Sequence, residues 1–174
     1  MRKDILAFVG PSQSGKNTLI IDMLAMYPEK VGVSMSVTTR SWRGSDDDIF
    51  YRFMSKEAFE ALVKDGGFAH WVAHAGNYYG TPRADVDATL ATKYAAGAFV
   101  EQGVMNLRNA DYTVRVIKIR PVGHVQSTDP KRQVEDAVRD QIDIHPEIVI
   151  ENDFSPGGRE RAAAQLAHYI EALP

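Results

Sequence analysis

A glycine- and serine-rich segment near the start of the chain, Gly10–Thr18, combines residue types that can bind phosphate. It follows a short apolar run, Ile5–Val9, and precedes a segment whose apolar residues recur at helical spacing. Glycines let a backbone curl so that successive N–H groups converge on an anion, and the N-terminus of the following helix adds partial positive charge. Lys16 can reach the outer phosphates of a nucleoside triphosphate. The order of strand, loop, lysine and helix therefore predicts a phosphate loop of the Walker A type.

The position after Lys16 departs from the usual pattern of such a loop. A Ser or Thr hydroxyl normally ligates Mg²⁺ there, whereas this chain has Asn17. An amide oxygen is an acceptable ligand for this hard cation, so Asn17 is the candidate metal ligand. Thr18 is a weaker substitute because it points elsewhere on the helix. The alternative is that Asn17 only caps the helix, and that phosphates and water hold the ion.

The order of predicted elements indicates an α/β fold with a parallel sheet, because a strand, a loop and a helix open the chain and further short apolar strands follow. Ser55 is expected to cap the helix that follows it. Strands are predicted at Ile5–Val9, Val31–Val37, Ile49–Met54, Phe68–His74, Ala96–Val100, Val114–Ile119 and Ile148–Ile150, and helices at Thr18–Met26, Lys56–Lys64, Pro82–Thr92, Pro130–Ile142 and Pro156–Leu173.

The composition limits the classes of function that remain. The chain has 174 residues, the length of one domain, and its net charge of −3 does not favour nucleic acid or an anionic membrane as a partner. It contains no cysteine, which excludes disulfides, thiolate metal sites and cysteine nucleophiles. The first apolar run, Ile5–Val9, is too short for a signal-peptide core or a membrane span, so a cytoplasmic protein is expected.

Three further segments resemble the guanylate kinase family of P-loop nucleoside monophosphate kinases. Ser34–Arg43 is similar to that family's S-x-S-x-T-T-R-x-x-R segment, Gly76–Thr81 matches its G-N-Y-Y-G-[ST] motif, and Ile148–Asp153 resembles its last strand with the N-D pair. The similarity is strong over residues 5–93 and weaker beyond. The resemblance implies one domain over residues 1–174, with a core (1–33 and 82–174), a subdomain for the acceptor nucleotide (34–81) and a shortened lid (121–139).

The same resemblance implies an activity and a set of site residues. The activity is transfer of the ATP γ-phosphate, with Mg²⁺ as cofactor, to GMP, dGMP or a related deoxy or modified-base nucleoside monophosphate, by a monomer or homodimer. Arg40, Arg43, Tyr51 and Tyr79 correspond to residues that hold the acceptor phosphate, and Ser36 and Thr81 to residues that read the base edge. The expected ATP-binding residues are Gly10, Ser12, Gln13, Ser14, Gly15, Lys16, Asn17, Thr18 and Asn152.

The base-reading positions differ from the family pattern. His70 stands where the family has a guanine-reading Glu, and a neutral imidazole cannot accept from both guanine donors. The expectation is that His70 lines the base end of the acceptor pocket and makes GMP a poorer substrate; the alternatives are reading by another residue, such as His74, and simple packing. The family's D-x-D-x-Q-G motif appears as Ala98–Gly103, where Glu101 is either a replacement acid or a solvated strand end.

The lid also departs from the family, because the segment Pro121–Pro130 lacks the family's R-L-x-x-R-G run. Lys131, Arg132 and Arg139 are the remaining candidates for transition-state cations. Arg132 and Arg139 are expected to be catalytic together with Lys16, since their seven-residue spacing places them on one helical face. An ordinary charged helix face has the same spacing.

Three other functions compete with a kinase acting on an altered acceptor. One is a plain (d)GMP kinase with a rebuilt base site. Another is a ribose bisphosphate-type kinase, a related group that also tolerates a residue other than Ser or Thr after the lysine. The last is a catalytically weak guanylate-kinase-like module that binds partners, which the intact phosphate loop disfavours.

Overall fold

The computed structural model describes residues 2–123 and 142–174 of the chain. Within these residues the strands are β1 (Ile5–Val9), β2 (Val31–Val33), β3 (Ser36–Thr38), β4 (Tyr51–Phe53), β5 (Phe68–His74), β6 (Asn77–Pro82), β7 (Tyr94–Ala98), β8 (Val114–Pro121) and β9 (Ile148–Asn152). The helices are α1 (Lys16–Met26), α2 (Asp47–Phe50), α3 (Lys56–Lys64), α4 (Arg83–Leu90), α5 (Glu101–Asn109) and α6 (Gly158–Ala172). None of these helices is long and apolar enough to cross a bilayer.

The larger sheet has five parallel strands in the order β2-β7-β1-β8-β9, and both of its faces are covered. All five residues of the central strand β1 are buried. Leu6 and Phe8 pack on one side with α1 and α6, while Ile5, Ala7 and Val9 pack on the other with α4 and α5. This double burial explains why β1 is a continuous apolar run, and it confirms the predicted parallel α/β class.

The smaller sheet joins strands in the order β4-β3-β6-β5 and carries its own apolar cluster. Phe59 of α3 stacks on Phe68 of β5 with ring centroids 4.5 Å apart, and Val37 completes the buried set. Helix α3 begins as expected, since the Ser55 hydroxyl accepts a hydrogen bond from the Ala58 N–H at 3.2 Å.

Several predicted elements differ from the structure. The strand expected over Val31–Val37 is divided between the two sheets, because the chain leaves β7 after Ser34 and pairs with β6 instead. The strand expected over Ile49–Met54 begins as helix α2, and its extended part is only β4. The strand expected over Ala96–Val100 is shifted to β7, with Val100 as the N-cap of α5.

Two elements were absent from the sequence prediction. Helix α5 is short and polar and contains Gly103, which favours a loop in sequence reasoning, and β6 lies within the Gly76–Thr81 motif, whose residues do not alternate between apolar and polar. Almost all of the helix expected over Pro130–Ile142, and almost all of the lid expected over 121–139, lie outside the described residues.

Truncation of a core side chain should test the packing of α6 on the central sheet. Leu166 is fully buried in the cluster that contains Leu6 and Phe8. Leu166→Ala should lower the free energy of unfolding by about 2–5 kcal/mol, measured by urea denaturation, because a cavity replaces the lost contacts. Gln165→Ala, at an exposed neighbour on the same helix, should change it by no more than about 0.5 kcal/mol. Equal effects of the two changes would contradict this packing.

Candidate active site

The loop after β1 has a backbone that only glycine accommodates at two positions. Gly10 has φ +157°, and a Cβ there would lie 2.4 Å from the Ile119 carbonyl oxygen of β8. Gly15 has φ +90°, and a Cβ there would lie 2.5 Å from Nδ2 of Asn152. That same Nδ2 donates to the Ser14 carbonyl oxygen at 3.1 Å. The end of β9 is therefore joined directly to the loop, and both glycines are needed for the close approach.

Lys16 opens α1 and folds back over this loop. Its Nζ donates to the carbonyl oxygens of Gly10 and Pro11, each at 2.7 Å, and to Oγ of Ser14 at 3.3 Å. The ammonium group is half-buried and lies at the mouth of the loop. It therefore lies where it can neutralise an anion bound by the loop N–H groups.

A cleft of about 560 Å³ joins this loop to the smaller sheet. Its size is in the range of pockets that hold small-molecule ligands. The residues that line it come from both sheets and from the loops at their edges: Gly10, Ser12–Thr18, Ser36, Arg40, Arg43, Asp47, Tyr51, His70, Val72, His74, Tyr79, Gly80, Ala98, Phe99, Val100 and Phe154.

Cationic and phenolic side chains cluster in the part of the cleft formed by the smaller sheet. Arg40 makes a bidentate ion pair with Asp47, at 2.7 and 2.5 Å, and its guanidinium lies 4.7 Å from the centre of the Tyr51 ring. Asp47 also accepts from the Arg43 backbone N–H at 2.7 Å. Arg40 and Asp47 are both buried, whereas Arg43 is exposed. Hydrogen bonds from Arg40 hold the pKa of Asp47 below its usual value, so this carboxylate stays ionised beside the arginines.

Sequence reasoning missed Asp47. The acidic run 46–48 was the available signal, but a run of acids next to an arginine segment does not indicate which carboxylate turns inward. The short helix α2 makes that choice, because it buries Asp47 and Phe50 and leaves Asp48 exposed.

Comparison with known proteins identifies the family. A family model described as guanylate kinase matches residues 2–153. The chain belongs to the guanylate kinase family. A guanylate kinase of Parasynechococcus marenigrum is 39% identical over 119 residues, which are 67% of this chain and 65% of that protein. A guanylate kinase of Idiomarina loihiensis is 30% identical over 172 residues, covering 97% of this chain and 75% of that protein.

The fold has a counterpart among solved structures. The crystal structure of guanylate kinase from Anaplasma phagocytophilum matches with a TM-score of 0.70 at 22% sequence identity, covering 98% of this chain and 86% of that one. The matched stretches of several curated relatives are nevertheless partial: the chain spans 65%, 43% and 42% of the length of three guanylate kinases.

Of the expected site residues that the structure describes, most line the cleft, but three do not. Thr81 is buried and lies next to His70, Asn152 is buried against Ser14, and Glu101 is buried in the first turn of α5. Glu101 is therefore not a solvated strand end. Arg132 and Arg139, expected to be catalytic, and Lys131 lie outside the described residues.

The register of Gln102 and Gly103 places Ala98 and Val100 at the two acidic positions of the guanylate kinase D-x-D-x-Q-G motif. Both of these apolar residues line the cleft, whereas Glu101 does not. The cleft wall at the end of β7 is therefore apolar where the family motif is acidic.

His70 lines the cleft as a neutral imidazole. Its Nε2 lies 3.1 Å from the Thr81 hydroxyl, and its Nδ1 is buried with no hydrogen-bond partner in the part of the chain that the structure describes. Burial lowers the pKa of His70 to about 4, because a charged ring would lose its hydration there. The ring therefore carries no charge at neutral pH.

This depressed pKa should appear in the pH dependence of stability. The unfolded state binds the proton at its ordinary pKa of 6.5, whereas the folded state binds it near 4, so acid favours unfolding. Burial of His70 costs no stability above about pH 6.5, where the ring is neutral in both states. As the pH is lowered from 6.5 to 4, this burial lowers the free energy of unfolding by about 3 kcal/mol. His70→Gln should remove this part of the slope of unfolding free energy against pH. His168→Gln, at an exposed position of α6, should keep the wild-type slope, and identical slopes for all three proteins would refute the assignment.

Proposed function

We propose that this protein transfers the γ-phosphoryl group of ATP to a nucleoside monophosphate, either GMP, dGMP or a related deoxy or modified-base nucleotide. One observation carries the proposal: a single cleft connects the phosphate loop with Lys16 to the cluster of Arg40, Arg43, Tyr51 and Tyr79. Two anion sites that open into one cleft are what phosphoryl transfer between two nucleotides requires. Membership in the guanylate kinase family supports the same activity.

The phosphate loop and the arginine cluster would bind different nucleotides. The loop N–H groups and Lys16 would hold the triphosphate, and the charge of Lys16 would stabilise the transferred group. Arg43, Arg40 and the two tyrosines would hold the acceptor phosphate by charge-assisted hydrogen bonds, in line with the donor. Because this reaction needs little covalent participation by protein groups, positioning and electrostatics supply most of the catalysis.

Mg²⁺ fits this site as an ion carried by the nucleotide. Asn17 is half-buried, lines the cleft beside Lys16 and offers an amide oxygen, which suits a hard cation. The described residues contain no group of three or more His, Asp or Glu side chains that could hold a metal by themselves. Bound with ATP, the ion would neutralise phosphate charge, with Asn17 as its protein ligand. Arg132 and Arg139 remain proposed transition-state cations.

The two remaining alternatives receive less support. A ribose bisphosphate acceptor carries a second phosphate, but the end of the cleft beyond Tyr79 is lined, among described residues, by His70, Val72, Phe99 and Val100, which offer no cation. A module that only binds partners has no need for a loop with Lys16, Gly10 and Gly15 in place. Release of ADP across a panel of nucleoside monophosphates and ribose bisphosphate distinguishes the three functions.

Replacement of Lys16 should remove phosphoryl transfer and leave the fold intact. Lys16→Ala should lower kcat by at least about 10²-fold, the usual effect of losing one group that stabilises transition-state charge. The far-ultraviolet circular dichroism spectrum should be unchanged, because the side chain is only half-buried. Lys64→Ala, at an exposed residue of α3, serves as the control and should retain full activity. Wild-type turnover by Lys16→Ala would rule out the proposed role.

Two measurements, nucleotide affinity and the free energy of unfolding, should distinguish the roles of Arg40 and Arg43. Arg43→Ala and Arg40→Ala should each weaken acceptor binding by about 1.5–3 kcal/mol, the range for hydrogen bonds to a charged group, while ATP affinity stays nearly unchanged. Only Arg40→Ala should also lower the free energy of unfolding, by about 3–5 kcal/mol, because it leaves the buried Asp47 carboxylate without its cation.

The double change Arg40→Ala with Asp47→Ala should recover much of that stability but none of the acceptor affinity. Titration with each nucleotide and urea denaturation measure the two quantities. If ATP affinity fell as much as acceptor affinity, the proposed division between loop and cluster would be wrong.

A further inference from the structure

We propose that the acceptor base is held by apolar contact and not through hydrogen bonds to its Watson–Crick edge, so that IMP is phosphorylated at least as efficiently as GMP. This inference rests on the proposed kinase activity and concerns the same cleft. It depends on four residues, here called the apolar end: His70, Val72, Phe99 and Val100.

The pairing of β5 with β6 places two residues of the apolar end, Val72 and His70, near Tyr79 of the arginine cluster. Val72 pairs with Tyr79, and His70 pairs with Thr81. Paired residues and residues two apart share one face of a sheet, so Val72 lies beside Tyr79 and His70 comes next after Val72 along the cleft wall. His70 lies roughly 7 Å beyond Val72 along the strand, since each residue advances about 3.3 Å. A monophosphate bound at Tyr79 and extended towards the buried end of the cleft would place its base against Val72 and His70.

The nitrogen atoms of His70 are not available to that base. Nε2 lies within hydrogen-bond distance of the Thr81 hydroxyl, and Thr81 is itself buried and does not line the cleft. Nδ1 has no accessible surface and lies towards α5, where a Cβ on Gly103 would be 3.6 Å away. The ring of Phe99 packs 5.5 Å from the imidazole centre. His70 therefore lines the cleft as a flat carbon surface, and Val72, Phe99 and Val100 add only apolar side chains.

Guanine matches such a surface poorly. Its N1–H and its 2-amino group both need acceptors, and each buried donor left unpaired costs roughly five- to hundred-fold in affinity. Ser36, which the family resemblance assigns to the base edge, lines the cleft but offers only a single hydroxyl. His74 does not replace the missing acceptors, because it lies on the other side of Tyr79 from His70, paired with Asn77. Hypoxanthine lacks the amine and therefore avoids one of the two losses.

The test compares two acceptors that differ only in the 2-amino group. With the full chain and saturating ATP and Mg²⁺, kcat/KM for IMP should equal or exceed that for GMP. A preference for GMP of more than tenfold would overturn the proposal. Calorimetric titration of GMP and IMP provides a second readout that does not require turnover. Similar Kd values for GMP and IMP without turnover would support binding of the base by the apolar end and disprove the kinase activity. Failure of both nucleotides to bind would disprove both proposals.

Two variants test whether the apolar end causes the lack of discrimination. His70→Glu should restore an acceptor for the guanine edge and raise the ratio of GMP to IMP efficiency at least tenfold. Since a carboxylate at this buried position can prevent folding, Val100→Asp, at a less buried residue that faces the same cleft, is the second variant with the same expected result. Val149→Asp, at an exposed position of β9, is the control and should leave the ratio unchanged. An unchanged ratio in a folded Val100→Asp protein would place the base elsewhere.

Discussion

Burial of β1 on both faces is the constraint on which the rest of the structure depends. Its side chains alternate between two apolar clusters, one with α1 and α6 and the other with α4 and α5. The neighbouring strands β7 and β8 pair with it in parallel, so their carboxyl ends meet at one edge of the sheet. The phosphate loop leaves from that edge, and the close contact of Gly10 with β8 and of Gly15 with Asn152 fixes its path. The phosphate loop is thus a direct continuation of a fully buried strand.

The smaller sheet has a buried ion pair at its edge, beside the cleft. A buried guanidinium without a partner is costly, and the ion pair of Arg40 with Asp47 removes most of that cost. The same carboxylate accepts from the backbone of Arg43, so one acidic residue orders the whole turn. An acceptor phosphate would meet an arginine whose geometry is already set, although the negative charge of Asp47 offsets part of its attraction. The exposed Arg43 keeps its charge available.

Left-handed backbone at non-glycine residues occurs at two positions of the cleft, as well as outside it at Ala75, Asp111 and His145. Gln13 and Phe154 have φ values of 63° and 54°, in the left-handed region, and both line the cleft. Such residues cost of order 1 kcal/mol or more each and persist only where the surroundings hold them. Asn152 holds both segments, because its side chain bonds the loop at Ser14 and accepts from the Phe154 N–H at 3.4 Å. The strand end that joins the two segments thus stabilises conformations that neither would keep alone.

The sequence by itself determined the parallel α/β class, the phosphate loop, the family and most of the residues that meet in the cleft. These features are local: a strand, a glycine loop, a lysine and short motifs whose residues are neighbours in the chain. Only the tertiary structure decided that residues 31–37 belong to two sheets, that Asp47 pairs with Arg40, that Glu101 is buried and does not line the cleft, and that Nδ1 of His70 is buried while its Nε2 lies beside Thr81. Each of these depends on packing between separate elements, as when Thr81 and Gly103 converge on His70. A local sequence pattern does not predict such contacts, because the elements that pack around a residue decide which of its atoms face the cleft.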